Sequence, residues 1–406
     1  MTRNQVNVLV TGMGMTTPLG PDVASTWRAL LAGESRVSIL EDEWAADLPV
    51  KIASRAYQDP ADVLSAAESR RLDRVQQFAV VAARQAWADC GAPDVDPERF
   101  AVVIGTGMGG GLTTIAQYDK ITAHGASRVS PFTVQMLMAN GSAAAVSLDL
   151  GAKGGAHAPM SACASGAEAI AVGLGLLRSG RADIVLAGGT EACVGQLSIA
   201  AFARMGALSH RADEPQAASR PFDAARDGFV LAEGAAVLVL ERADSARARG
   251  ARAYARLAGA GMSCDARDMT NPHPEGQVRA MKEAMATAEL SPSDIGHVNA
   301  HATGTPAGDG VEARAVIEAV GDHPLVTATK SSTGHMIGGA GAVEAIFTVL
   351  SLRDSVIPPT RNLDKQDPDI PVNVVTGSPY QGALNAALSN SFGFGGHNIA
   401  LALTTA

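Results

Sequence analysis

The chain repeats one hand-over many times: a short apolar run rich in Val, Ile and Leu, a glycine-containing turn, then a longer alanine-rich stretch with helical periodicity. The runs at 6–10, 100–104, 183–187, 236–240, 253–257, 295–298, 325–329 and 399–403 are continuously apolar rather than alternating. That is the pattern of strands covered on both faces. Helical patterns occupy 24–31, 70–89, 165–178, 276–288, 310–320 and 340–352. Such a rhythm predicts an α/β architecture in layers, with helices on both faces of buried sheet. The 406 residues suffice for two or three ordinary domains or one large duplicated fold. A weak internal echo favours duplication. ACASGAEAI (162–170) and GHMIGGAGAVEAI (334–346) each open a helix, and VTGMGM (10–15) resembles AGAGM (258–262). We expect two similar halves, 1–250 and 251–406, joined through a solvated charged helix at 241–252.

Several functions are excluded early. The formal charge is −9 and aromatics are only 4% of the chain. General nucleic-acid or anionic-membrane binding is therefore not expected, and base-stacking platforms are scarce. No apolar stretch reaches the length of a membrane span, and no apolar signal region follows the first residues. The four cysteines, Cys90, Cys163, Cys193 and Cys264, form no C-x-x-C pair. We read them as reduced thiols in a cytoplasmic protein. The glycine turns at 12–14 and 105–110 follow strands, but the acidic residue that dinucleotide binding needs is missing, as are a P-loop lysine and a G-x-S-x-G elbow. No metal-ligand spacing is present, and no metal or cofactor is expected.

Cys163 lies among small residues where a turn feeds a helix. Free amides and the helix dipole at that place favour thiolate and can hold an oxyanion. The alternative is a small buried apolar cysteine, which is also how we read Cys90, Cys193 and Cys264. His301 and His335 each end an apolar strand beside a glycine turn, where α/β enzymes place reacting groups. Lys330 ends an apolar strand and requires a carboxylate partner, for which Glu344 is the nearest candidate; a structural pair and a chemical role are both open. Phe392 and Phe394 flank glycine in NSFGFGGHN (390–398), either a mobile apolar gate or an ordinary connecting turn.

These segments occur together with VIGTGMGG (103–110), SRPFDAARDGFVLAEGA (219–235), NAHATGTPAGD (299–309) and TKSSTGHMIGGAGAVEA (329–345). Over essentially its whole length the chain resembles the elongating β-ketoacyl-acyl-carrier-protein synthases of type II fatty-acid synthesis, actinobacterial members in particular. The resemblance implies a thiolase-like fold, two βαβαβαββ halves in an α-β-α-β-α sandwich, and a homodimer. It implies decarboxylative Claisen condensation of acyl- with malonyl-carrier protein. Cys163 would be acylated, His301 and His335 would assist decarboxylation, and the amides of Cys163 and Phe394 would form the oxyanion hole. Lys330 with Glu344 would order the site. Thr303 and Thr305 would contact the phosphopantetheine arm, Phe392 and Phe394 would gate, and Met108 and Phe202 would line the acyl pocket, whose depth would involve segment 130–139 at the dimer interface. Three departures stand out. Ala302 replaces a common glycine, Asp268 a common histidine, and Gly206 a common basic docking residue, leaving Arg70, Arg71 and Arg204 as candidates to meet the acidic carrier. A stand-alone polyketide or specialised-lipid ketosynthase shares the same pattern. A chain-length-factor-like partner would lack Cys163, and a degradative thiolase would carry a cysteine after Cys264.

Overall fold

The computed structural model describes residues 6–406; the signal-region reading of the first residues falls partly outside them. The first half runs β1 (Val8–Thr16), α1 (Arg74–Asp89), β2 (Phe100–Gly105), α2 (Gly141–Leu150), β3 (Ala156–His157), α3 (Ser165–Arg178), β4 (Ile184–Glu191) and β5 (Gly234–Arg242). The second runs β6 (Ala255–Cys264), α4 (Pro274–Ala288), β7 (Ile295–Asn299), α5 (Gly308–Ala319), β8 (Leu325–Thr327), α6 (Ala340–Asp354), β9 (Asn373–Val374), β10 (Ala386–Gly393) and β11 (His397–Thr404). A short helix, Ala243–Ala248, lies between β5 and β6.

The strands order as β9-β8-β7-β10-β11-β6-β1-β5-β4-β2-β3. Read outward from the middle, β6-β11-β10-β7-β8 and β1-β5-β4-β2-β3 carry the same sequence of antiparallel and parallel pairings, with β9 as an extra edge. Within the sheet the halves join through a short β1/β6 ladder, Val8↔Leu257 to Val10↔Ala255. Helices α3 and α6 touch strands of both halves and form the central layer; α1 and α2 cover one outer face, α4 and α5 the other. This is the five-layer α-β-α-β-α arrangement. Helix α6 is buried from Ala340 to Leu352 on every side, as a helix apolar all round must be.

The structure departs from the expected elements at identifiable places. Strands β1 and β6 run on through the glycines read as turns. At Gly14 a Cβ would stand 2.1 Å from the Ala82 carbonyl oxygen, and at Gly261 2.0 Å from that of Ala280. Helices α1 and α4 thus press directly onto strand backbone. In both halves a helix side chain then serves a strand amide, Gln85 accepting from Met15 N–H and Glu283 from Met262 N–H. The helix expected at 70–89 is broken. Leu72 is extended, and Asp73 restarts it as N-cap in a reciprocal capping box with Gln76. The strand expected at 325–329 stops at Thr327, because residues Lys330–Thr333 form a helical turn. Strand β10 was not expected: its small and polar residues hide it, and Phe392 belongs to it rather than to a turn.

Candidate active site

Cys163 sits in a single 3-10 turn, Ala162–Ala164, directly ahead of α3. Ala162 before it has φ +50°, and Ile337, two residues after His335, has φ +40°. Left-handed backbone at non-glycine residues, above all a β-branched one, is strained and clusters at functional sites. His301 follows β7 by two residues. Its amide and that of Ala302 both donate to the Glu312 carboxylate on α5, at 2.8 and 2.7 Å. Asn390 Nδ2 donates to the same group at 3.2 Å. His335 does not end a strand as expected. It follows the Lys330–Thr333 turn and Gly334, and residues 230–232 clamp its backbone on both sides: its N–H donates to Val230 O at 2.8 Å and its carbonyl accepts from Ala232 N–H at 2.9 Å.

The three groups converge. His335 Nε2 lies 3.0 Å from Cys163 Sγ, and ligand atoms of Cys163, His301 and His335 all fall within 4.8 Å of one another. The imidazoles meet edge to face, centroids 5.4 Å apart. Phe229 packs edge-on against His335 at 5.2 Å, and Phe392 lies 6.1 Å from His301. Three such atoms can also bridge a metal ion, which would occupy the lone pairs the site presents.

Opposing influences act on Cys163. Burial pushes the Cys163 thiol up to about 12, although Lys330 and the amides of Phe394 and Cys163 pull it down. The amides at the helix start thus act toward thiolate, as expected there, and burial acts against them. Both histidines are pushed well below the ordinary imidazole value, chiefly by loss of solvent and then by the Lys330 charge, so both are neutral. Lys330 Nζ lies 2.5 Å from Glu344 Oε1 with both side chains buried. Burial raises Glu344 while the Lys330 ammonium draws it back.

A cavity of about 640 Å³ leads to the thiol. Met108, Phe202, Thr303, Thr305, Phe392 and Phe394 all line it, so the structure gathers every residue proposed to hold substrate. Phe394 occupies the β10–β11 hairpin turn, and that turn is tied to the neighbouring loop: Asp265 N–H donates to Gly396 O, and Gly395 N–H to Met269 O. Asp268 folds onto its own loop, accepting from the amides of Thr270 and Asn271. Arg204 is exposed beside Met205 and Gly206 at the cavity mouth. Arg70 and Arg71 are exposed away from the cavity lining; Arg71 stacks over Phe132. Cys90 donates to Trp87 O and Cys193 is buried, whereas Cys264 is exposed with its sulfur 3.6 Å from Gly395 O. Sequence reasoning missed Glu312 and Phe229. Glu312 was detectable as an acid on the apolar side of a helix starting seven residues after His301.

A buried thiol before a central helix, two imidazoles beside it and a duplicated five-layer fold are the setting of a condensing enzyme. The chain belongs to the β-ketoacyl synthase family: residues 5–246 match the model "Beta-ketoacyl synthase, N-terminal domain" and 254–364 its C-terminal counterpart. It is 46% identical to "3-oxoacyl-[acyl-carrier-protein] synthase 2" of Mycobacterium bovis, over 97% of this chain and 96% of that one. Among solved structures it superposes on "The ishigamide ketosynthase/chain length factor" with TM-score 0.93 at 32% identity, covering 99% of this chain and 100% of that one. It also superposes, with TM-score 0.91 at 30% identity, on a type II polyketide ketosynthase solved with its acyl-carrier protein and a hexaketide, again covering 99% and 100%. The thiolase-like fold and acyl-transferring condensation follow from this membership.

Proposed function

We propose that the chain is an elongating 3-oxoacyl-acyl-carrier-protein synthase of fatty-acid synthesis, acting in the cytoplasm as a homodimer without a bound cofactor or metal. The observation that carries this reading is the Cys163 thiol 3.0 Å from a neutral His335, with His301 beside it, at the end of a substrate-sized cavity. The acyl thioester of the carrier meets the Cys163 sulfur, the thiol proton leaves through His335, and the amides of Cys163 and Phe394 hold the tetrahedral oxyanion. Collapse releases the carrier thiol, which takes that proton, and leaves acyl-Cys163. Malonyl-carrier protein then enters with its arm on Thr303 and Thr305. Imidazole N–H groups of His301 and His335 hydrogen-bond the thioester oxygen as CO₂ departs and its bonding electrons form an enolate. The enolate carbon attacks the acyl-Cys163 carbonyl, the C–S bond breaks, and the departing Cys163 thiolate takes up one proton from solvent. Lys330 and Glu344 order the histidines, Phe392 and Phe394 gate the arm, and Met108 and Phe202 bound the acyl chain.

Exposed apolar side chains support the homodimer. Tyr118, Val134 and Leu148 are 70%, 67% and 85% exposed, and Ile121, Leu137 and Met138 accompany them. Isolated soluble surfaces rarely carry so many large apolar groups together. Sedimentation showing only monomer at micromolar concentration contradicts this arrangement. No helix among the described residues is long and apolar enough to cross a membrane. Arg204 beside the mouth is the basic group best placed for an acidic carrier.

Cys163→Ala is expected to abolish elongation of acyl-carrier substrates with the fold intact, as read by product mass and circular dichroism. Cys163→Gln is expected to retain malonyl decarboxylation while losing condensation. Undiminished elongation by the alanine variant removes the proposal. Polyketide-length products from graded acyl substrates would favour a specialised ketosynthase instead, a reading supported by the likeness to the hexaketide-bound enzyme.

A further inference from the structure

Two cavities outside the thiol site share Val37, Ser38, Gln216 and Arg361 as walls and so form one groove. One part, about 610 Å³, adds Ser35 and Arg36 and is polar. The other, about 490 Å³, adds Ile39, Pro215 and Ala217 and is largely apolar. None of these residues lines the cavity that reaches Cys163. The groove walls are braced by hydrogen bonds. Arg361 N–H donates to Ser331 Oγ at 2.9 Å, and Asn362 Nδ2 donates to the carbonyls of Gln216 and Ser219 at 2.9 and 2.8 Å. The Arg36 guanidinium lies over the Tyr57 ring, 4.3 Å from its centroid.

Arg361 lacks the partner that such a residue ordinarily has. Arg74, Arg220 and Arg226, also withdrawn from solvent, each grip a carboxylate. Arg361 is partly buried, yet no carboxylate pairs with it among the described residues. Its Nη1 donates to Gly33 O, while its Nε is buried without a hydrogen-bond partner.

We propose that this groove binds a small amphipathic anion, a carboxylate or phosphate head on a short apolar tail. The head lies at Arg361 and Arg36, and the tail runs along Val37, Ile39 and Pro215. A guanidinium presents a planar fork of donors that matches either oxyanion, and such charge-assisted hydrogen bonds are the strong ones. Loss of solvent disfavours the Arg361 charge, which a seated anion restores. Ile39 is 43% exposed at the apolar part, so a tail laid there covers surface that water otherwise meets. The lining also holds Glu34 and Glu214, both exposed. These oppose a polyanion, so a single head on an uncharged tail fits the groove better than a nucleotide does.

The test is calorimetric titration of the full chain with hexanoate and hexyl phosphate, beside hexanol and inorganic phosphate, which lack the head and the tail respectively. At least one amphiphile is expected to bind about tenfold more tightly than both controls. The preferred head then separates a fatty-acid source from a phosphorylated one. Arg361→Gln, which removes the charge, and Ser38→Asp, which sets a carboxylate in the groove, are each expected to weaken that binding about tenfold or more. Met108→Trp, which obstructs the cavity at Cys163, is expected to leave it unchanged. Binding lost in Met108→Trp but kept in the two groove variants puts the ligand at the thiol and overturns the proposal. Absence of binding by both amphiphiles at millimolar concentration also overturns it. If Arg361→Gln does not fold, Ser38→Asp decides, since Ser38 is exposed, and undiminished affinity in that variant overturns the inference.

Discussion

Glu344→Gln should damage this protein more than the loss of one ion pair implies. Lys330 and Glu344 are 1% and 3% exposed and 2.5 Å apart, so removing the carboxylate strands an ammonium group without solvent. Breaking such a pair costs about 3–5 kcal/mol, whereas replacing both partners with apolar groups of similar volume is often near neutral. Urea unfolding should show that loss for the single variant, and a cost below about 1 kcal/mol contradicts the account. The pairing was readable in the sequence because a lysine at the end of an apolar run demands an explanation. Cys163, His301 and His335 were readable for a similar reason, each being reactive and set among small residues at a turn. Glu312 was overlooked although its place on the apolar side of a helix soon after His301 offered a signal; its effect comes from burial and from the His301 and Ala302 amides that donate to it.

At the scale of elements, the helix-on-strand contact is the most sensitive place. A methyl group at position 261 would meet the Ala280 carbonyl oxygen at 2.0 Å; that atom is helix backbone and cannot swing aside. Gly261→Ala is expected to destabilise the chain by about 1–3 kcal/mol through overpacking, read as a lowered thermal midpoint. An unchanged midpoint shows that α4 can retreat from β6. The long apolar strands and the periodic helices α3, α4, α5 and α6 were legible from hydrophobic pattern alone. The two-residue strands β3 and β9 were not, since pairing rather than composition makes them strands. Strand β10 escaped because Ser389, Asn390 and Ser391 are polar yet fully buried. The break at Leu72 was overlooked although Asp73 and Gln76 spell a capping box.

For the whole molecule, buried titratable groups set opposing slopes of stability against pH. Burial lowers His297 to about 3 from an ordinary 6.5, and His301 and His335 move the same way. Between those values the unfolded chain binds protons that the folded chain does not, so stability falls as pH drops below 6.5. Burial raises Glu191 and Glu312 to about 7 from 4.5. There the folded chain holds protons the unfolded chain has lost, so stability falls as pH rises from 4.5 through 7. Each group contributes about 1.4 kcal/mol per pH unit within its window. Glu344 and Asp309 are likewise raised by burial, to about 7 and about 6, so the slopes nearly cancel between 4.5 and 6.5, and stability is expected to decline above pH 6.5. Calorimetry at constant ionic strength tests this, and a thermal midpoint climbing steadily from pH 5 to 8 contradicts it.

The crossing of α3 and α6 has a mechanical corollary. The helices approach through Gly166 and Gly341: a methyl group on the first would stand 3.0 Å from Ala342 N, and on the second 2.9 Å from Ala167 N. Cys163 hangs from the leading end of one helix and His335 from the approach to the other. The spacing between sulfur and ring nitrogen thus depends on a clearance deep inside the protein together with the hold of residues 230–232 on the His335 backbone, as jaws are set by their pivot. Widening that pivot by one carbon atom would open the jaws without altering any group that meets substrate.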